Sequence, residues 1–235
     1  MPGSRGQYST KDYHENASAI QDAGTSALVC WYYPTAVGPV SPVGIYDTND
    51  TKRWLRIAHM GTGVVNAQWR DGGATTSASS GFAATLNDWN LLGLIFVPNA
   101  TLRVFLNGTL VTTSMGGNQW PSPLNATCLG VQHISTGYDQ PCPGYIGPVG
   151  RWTADIAEAD LDVMYAGRDF RSVQPDSLQN YYKCDGDGDV SDLIGSFNFT
   201  ETGTVGQFDA PWMYGVGAKL TRAPLRPLVN AGQVA

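Results

Sequence analysis

The chain has 235 residues, with 14 Lys and Arg against 20 Asp and Glu and a formal net charge of −6. Its basic residues are scattered, with no run dense enough to follow a phosphate backbone, which argues against nucleic-acid binding as a main role. Charged residues make up only 14 %, while 28 Gly, 14 Pro and 7 Trp punctuate the apolar runs, a composition better suited to short strands and many turns than to a helical bundle.

The length fits one all-β sandwich. Residues 1–24 are mostly polar and turn-forming, and are expected to be an N-terminal arm that orders on a partner. The opening MPGSRGQYSTKDYHENASA has no apolar core of the kind a secretory signal needs. No later stretch is long and apolar enough to cross a bilayer, so no membrane partner is expected. ALVCWYY at 27–33 is the first strong strand, and its unbroken apolar character predicts burial on both faces. Strands at 43–46, 54–58 and 64–69 follow at meander spacing. The Gly/Ser/Thr-rich 71–81 holds one polar outer strand.

Trp89 opens a nearly continuous apolar strand to Val97. LRVFLNGTLV at 102–111 then places Asn107-Gly108 between apolar strands, the pair that supplies the two positive φ values of a type I′ hairpin. A strand is expected at 125–130 and another at 145–152, where Pro148 removes a ladder donor and requires an edge or a bulge. Thr153 or Asp155 is expected to cap a short helix through Ile156, Leu161, Met164 and Tyr165 that Gly167 ends. One more turn is expected at 175–179, with short strands at 181–183 and 197–200. Residues 208–235 are Pro/Gly-rich yet keep Trp212, Met213, Tyr214, Leu220 and Leu225, side chains that a merely solvated tail would not need.

In order, Trp89 and its strand, the Asn107-Gly108 hairpin, Cys128-Leu-Gly130, Tyr145-Ile-Gly147 and the 156–167 segment resemble the concanavalin A-like, or LamG-like, jelly-roll family. The resemblance implies a two-sheet antiparallel jelly-roll sandwich with one short helix and extended termini. The domain would span 25–207 with its C-terminal extension, between an arm at 1–24 and a docking tail at 208–235. Pro175-Asp-Ser-Leu-Gln-Asn-Tyr-Tyr182, Ser191-Asp-Leu-Ile-Gly195, Phe197-Asn198 and Thr202-Gly203-Thr204 further resemble LamG-like structural proteins of tailed bacteriophages. That likeness implies a noncatalytic capsid decoration or cement protein, made in the host cytoplasm and seated on the outer capsid surface. Its partners would be major capsid protein and neighbouring copies, contacted through Tyr8, Tyr13, Trp212, Met213, Tyr214, Leu220 and Leu225. The alternative is a lectin-like module recognising host surface polysaccharide.

Candidate sites are few. A glycosidase needs two carboxylates about 5 to 9 Å apart. The alternating Glu-x-Asp-x-Glu strand of related enzymes is absent, and Asp155, Glu158, Asp160 and Asp162 suit a solvated helix face, so no catalytic residue is expected. His14, His59 and His133 are isolated. Asp185, Asp187 and Asp189, joined by Asp192, alternate in a Gly-rich loop that would turn carboxylates toward Ca²⁺. Val190 and Ser196 replace the Gly and Glu of an EF-hand, so the bland reading is a solvated acidic turn and no cofactor. A glycan platform would draw on Trp120, Tyr138 and Trp152, with Asn118 and Asp139 as hydrogen-bonding neighbours, although Trp is more often core. Cys30, Cys128, Cys142 and Cys184 lack zinc spacing and read as buried thiols. Five N-x-Ser/Thr triplets include Asn107, which is better used as a turn residue.

Overall fold

The computed structural model describes residues 24–50, 52–134, 137–139, 142–184, 191–196, 198–202 and 207–208, and the strands Ser4–Arg5 and Tyr13–Asn16. In chain order the strands are β1 (Ser4–Arg5), β2 (Tyr13–Asn16), β3 (Ser26–Pro34), β4 (Val40–Tyr46), β5 (Arg53–His59), β6 (Val64–Asp71), β7 (Thr76–Ala83), β8 (Asn90–Val97), β9 (Thr101–Leu106) and β10 (Thr109–Ser114). After them come β11 (Ala126–Leu129), β12 (Gln132–Ile134), β13 (Gly137–Asp139), β14 (Gly144–Trp152), helix α1 (Glu158–Tyr165), β15 (Leu178–Tyr182), β16 (Thr200–Thr202) and β17 (Gln207–Phe208).

Two antiparallel sheets form the sandwich. One runs β10-β9-β8-β3-β14-β1-β17, with β15 also on β14; the other runs β16-β2-β11-β4-β5-β6-β7. The expected N-terminal arm therefore contributes a strand to each sheet, β1 beside β14 and β2 between β11 and β16. Phe208, expected to begin the tail, pairs with Ser4. The strand expected at 197–200 lies instead at Thr200–Thr202 and is followed by β17.

Between the sheets, Leu28, Tyr32, Leu94, Phe96 and Val104 meet Val43, Ile45, Leu55, Ile57 and Val65. The opposite face of the eight-stranded sheet is also buried: Val29, Trp31, Leu91, Ile95 and Phe105 lie beneath Leu161, Met164, Phe170 and Val173. This double burial explains why β3 and β8 are apolar at nearly every position rather than at alternate ones. Each such side chain taken fully from water contributes about 1.5–3 kcal/mol.

The hairpin forms as its sequence predicts. Leu106 pairs with Thr109, and Asn107 and Gly108 have φ of 48° and 86°. The Asn107 side chain also accepts the Leu91 backbone N–H at 2.8 Å and donates to Asn90 Oδ1 at 2.8 Å. Pro148 sits at a register shift between Ile146 and Val149, inside a strand paired on both sides. Of the two accommodations expected for it, the fold uses the bulge. Helix α1 ends toward Gly167, whose φ is 94°. Neither expected cap is used: Ala157 holds the N-cap position without a side-chain bond, Thr153 bonds Ser177, and Asp155 pairs with Arg103.

Candidate functional site

The structure disperses the sequence-predicted glycan platform. Trp152 is 0 % exposed and donates its indole N–H to the Val173 carbonyl at 2.8 Å beneath the outer layer of the eight-stranded sheet. Trp120 is buried between the sheets, its ring 6.0 Å from Phe96. Both are used for packing, as their large apolar area favours, and neither can stack on a sugar. Asn118 secures its own loop, accepting from the Asn99 N–H and reaching Thr76 Oγ1 and Met115 Sδ. Tyr138 and Asp139 lie in the β12–β13 pair, opposite His133 and Gln132.

The acidic loop divides likewise. Asp192 is buried, and its carboxylate accepts Asn180 Nδ2 at 2.6 Å and the N–H groups of Tyr181 and Ile194 at 2.9 and 3.2 Å. Those bonds commit it to holding the segment after β15 rather than to a cation. Asp185, Asp187 and Asp189 lie outside the described residues, among which no group of three His, Cys, Asp or Glu is placed to hold a metal. Tyr8, Trp212, Met213, Tyr214, Leu220 and Leu225 also lie outside them, and Tyr13 enters only through its pairing with Thr202. The cysteines are all buried thiols. Burial pushes Cys142 up to about 12 against a hydrogen bond with Tyr32, which leaves it unreactive at neutral pH.

A different constellation stands on the outer face of the seven-stranded sheet. The strand period sends Leu55 and Ile57 of β5 into the core and Trp54 and Arg56 outward; on β6, Val65, Ala67 and Trp69 point in while Asn66, Gln68 and Arg70 point out. Cross-strand register then places Trp54 opposite Arg70 and Tyr46, Arg56 opposite Gln68 and Gly44, and Asn66 opposite Ala58 and Ser79. One patch thus joins aromatic, guanidinium, amide and hydroxyl groups from four adjacent strands.

Within it, the Arg56 guanidinium lies 4.3 Å from the centroid of the Trp54 ring, a cation–π contact. Arg56 Nε donates to Gln68 Oε1 at 2.9 Å. Tyr46 leans over Gly44, the only residue with room for its ring, and donates its hydroxyl to Ser41 Oγ at 2.9 Å, which in turn donates to the Ile57 carbonyl. Burial pushes Tyr46 up to about 12, opposed by the charge of Arg56 and reinforced by Cys128. Burial also lowers Arg56 from the ordinary guanidinium value, with Tyr46 opposing the shift and the like charge of Arg70 adding to it. Two buried polar atoms here have no hydrogen-bond partner: Arg56 Nη1, a donor, and Asn66 Oδ1, an acceptor. Such orphans are costly in a folded protein unless a ligand completes them. With the exposed Ser77 and Ser79 beside them, they match a ligand rich in hydroxyl groups.

A second aromatic group lies on the other sheet, where half-exposed Tyr33 meets Trp89 and Tyr145 edge-on at 5.6 and 5.7 Å. In the patch around Arg56, Trp54 and Tyr46 are themselves buried, at 3 % and 1 % exposed, so this patch offers polar groups rather than a stacking ring, and it is the stronger candidate because those groups converge.

A family profile described as the concanavalin A-like lectin/glucanases superfamily matches residues 7–160. The chain belongs to that superfamily. Among solved structures, this superfamily member is similar to the native heptameric SAP-like pentraxin from Limulus polyphemus, at 11 % identity over 87 % of this chain and 91 % of that one, with a TM-score of 0.65. It is similar to the CBM40 of a Ruminococcus gnavus sialidase bound to α2,3-sialyllactose, at 14 % identity over 68 % and 96 %, TM-score 0.57. A third likeness is to domain 4 of an extracellular GH43 arabinanase from Geobacillus stearothermophilus in complex with arabinotriose, at 13 % identity over 63 % and 70 %, TM-score 0.53. At these identities the likeness is one of fold. No curated protein sequence matches the chain. Neither the family match nor these structures bears on a phage particle.

Sequence reading missed this patch because Arg56, Asn66 and Gln68 are ordinary residues of half-buried strands. The signal was present in the alternation of β6, where Asn, Gln and Arg interleave with Val, Ala and Trp, but it becomes a site only when β5 and β6 are set in register.

Proposed function

We propose that this chain is a noncatalytic, lectin-like module that binds polysaccharide on the outer face of its seven-stranded sheet. The observation that carries the reading is the pair of unsatisfied polar atoms, Arg56 Nη1 and Asn66 Oδ1, beside the Trp54 ring on a sheet face lined with amide and hydroxyl groups. A sugar supplies what that face lacks: hydroxyls that both accept and donate. The carbohydrate-bound structures that share the fold support the same reading, whereas no observation favours attachment to a viral shell. Catalysis is disfavoured because the described strand residues of this face include no carboxylate pair to act as acid and nucleophile.

The test is affinity electrophoresis of the full chain through gels containing different polysaccharides, followed by calorimetry with fragments of any that retard it. The N66A variant removes the unsatisfied Oδ1 and should bind about tenfold more weakly or worse, with an unchanged melting temperature. Retardation equal to wild type would remove this face from the function.

A further inference from the structure

On that polysaccharide reading, we infer that the ligand is an acidic glycan, its carboxylate or sulfate held by Arg56 with Arg70 beside it. The inference comes from a contrast with three other arginines of the described residues. Arg53 is surrounded by Asp47, Asp50 and Asp71 at 3.5, 3.0 and 2.9 Å. Arg103 is paired with Asp155, and Arg171 with Asp169. Arg56 and Arg70 instead meet neutral acceptors, Gln68 Oε1 and the Gly73 carbonyl, each at 2.9 Å.

The two are close enough for Arg70 to disfavour the charge on Arg56. Among the described side chains of this face, the neighbouring strand positions are aromatic, amide, hydroxyl or small, and none is a carboxylate. Glu15 lies in the same cross-strand row, on β2, but Cys128 and Gly44 stand between it and Arg56. At the spacing of adjacent strands that is roughly 14 Å.

Two like charges on a partly buried surface are costly unless an anion joins them. The Arg56 Nε is taken by Gln68, while its Nη1 is buried without a partner, a charged donor that an anion would complete. A bare inorganic anion would leave Asn66 Oδ1 unsatisfied. A sugar acid answers both needs, with its charged group on Arg56 and Arg70 and a hydroxyl donating to Asn66. Carboxylated and sulfated glycans share this chemistry.

The experiment is calorimetric titration of the full chain with trigalacturonate, with its fully methyl-esterified form, which keeps the sugar and removes the charge, and with a heparin tetrasaccharide. The acid, the sulfated sugar or both should bind about ten- to a hundredfold more tightly than the ester. Whichever is tighter identifies the source of the anion. The preference should shrink at high salt and be lost in R70Q and in R56K, which keeps the charge but loses the planar fork. R70Q alters the more peripheral arginine and guards against a folding defect in R56K; melting temperatures report on both. Equal binding of acid and ester would overturn the acidic-glycan inference and leave the polysaccharide reading standing. Failure to bind any of the three, or any polysaccharide in the gels, would overturn both.

Discussion

Gly44→Ala is the substitution in which fold and site are most directly coupled. A Cβ at this position would fall 2.5 Å from the Tyr46 hydroxyl and 2.6 Å from two carbons of its ring. Ordinary contact begins near 3.4 Å, so the ring must move by about 1 Å, and the strand beneath it, paired on both sides, gives little room. Overpacking of this size costs about 1–3 kcal/mol. Displacing the hydroxyl from Ser41 adds about 1–2 kcal/mol for a buried group left without its acceptor. The expected loss is therefore about 2–5 kcal/mol, read from urea titrations followed by tryptophan fluorescence. A double-mutant cycle isolates the cause: in a Y46A background the added methyl meets open space and should cost less than about 1 kcal/mol, a coupling of at least about 1 kcal/mol. Glycan affinity should fall with G44A as well, because Tyr46 helps to set the position of Arg56. A coupling near zero would refute the account, since it would mean that Tyr46 is not what reserves this position for glycine.

Two further outcomes are expected. At the hairpin, N107A should destabilise by about 2–4 kcal/mol, combining a non-glycine φ of 48° with the loss of the acceptor for the Leu91 N–H. N107G keeps the backbone conformation and should lose only the side-chain share, so equal losses in the two variants would show that the backbone conformation contributes nothing. Burial holds His59 below its ordinary pKa, opposed by the Gly63 backbone. The unfolded chain then takes up a proton first, so the full contribution to stability is present above about pH 6.5 and declines as pH falls toward the folded pKa. The wild-type urea midpoint should drop between about pH 7.5 and 5.5, and H59Q should flatten that slope; parallel slopes would count against the buried neutral imidazole.

Much of the architecture was legible because it depends on local chemistry. Asn107-Gly108 dictates a tight reversal wherever it lies between apolar strands. The unbroken apolar runs at β3 and β8 announced double burial. Pro148 announced a defect in the ladder, although only the pairing of β14 with β3 and β15 shows that the defect is a bulge and not an edge. The helix was legible as far as its apolar positions and Gly167. Its cap was not, because Asp155 is drawn away by Arg103, a residue distant in sequence.

Function was less legible for a physical reason. A tryptophan has the same sequence signature whether it anchors a core or receives a sugar, and Trp120 and Trp152 prove to be anchors only once the layers around them are assembled. Asp192 likewise reads as a cation ligand until Asn180 and the backbone of Tyr181 take its oxygens. By itself, the sequence determined the strand-rich composition, the turns and the alternation that sends Arg56, Asn66 and Gln68 to one side of their strands. Only tertiary structure decided that these side chains are neighbours, that Arg56 lies over Trp54, and that Asp47, Asp50, Asp71, Asp155 and Asp169 pair with other arginines. Register and charge pairing are set by residues tens of positions apart, and no local pattern specifies which of them will meet.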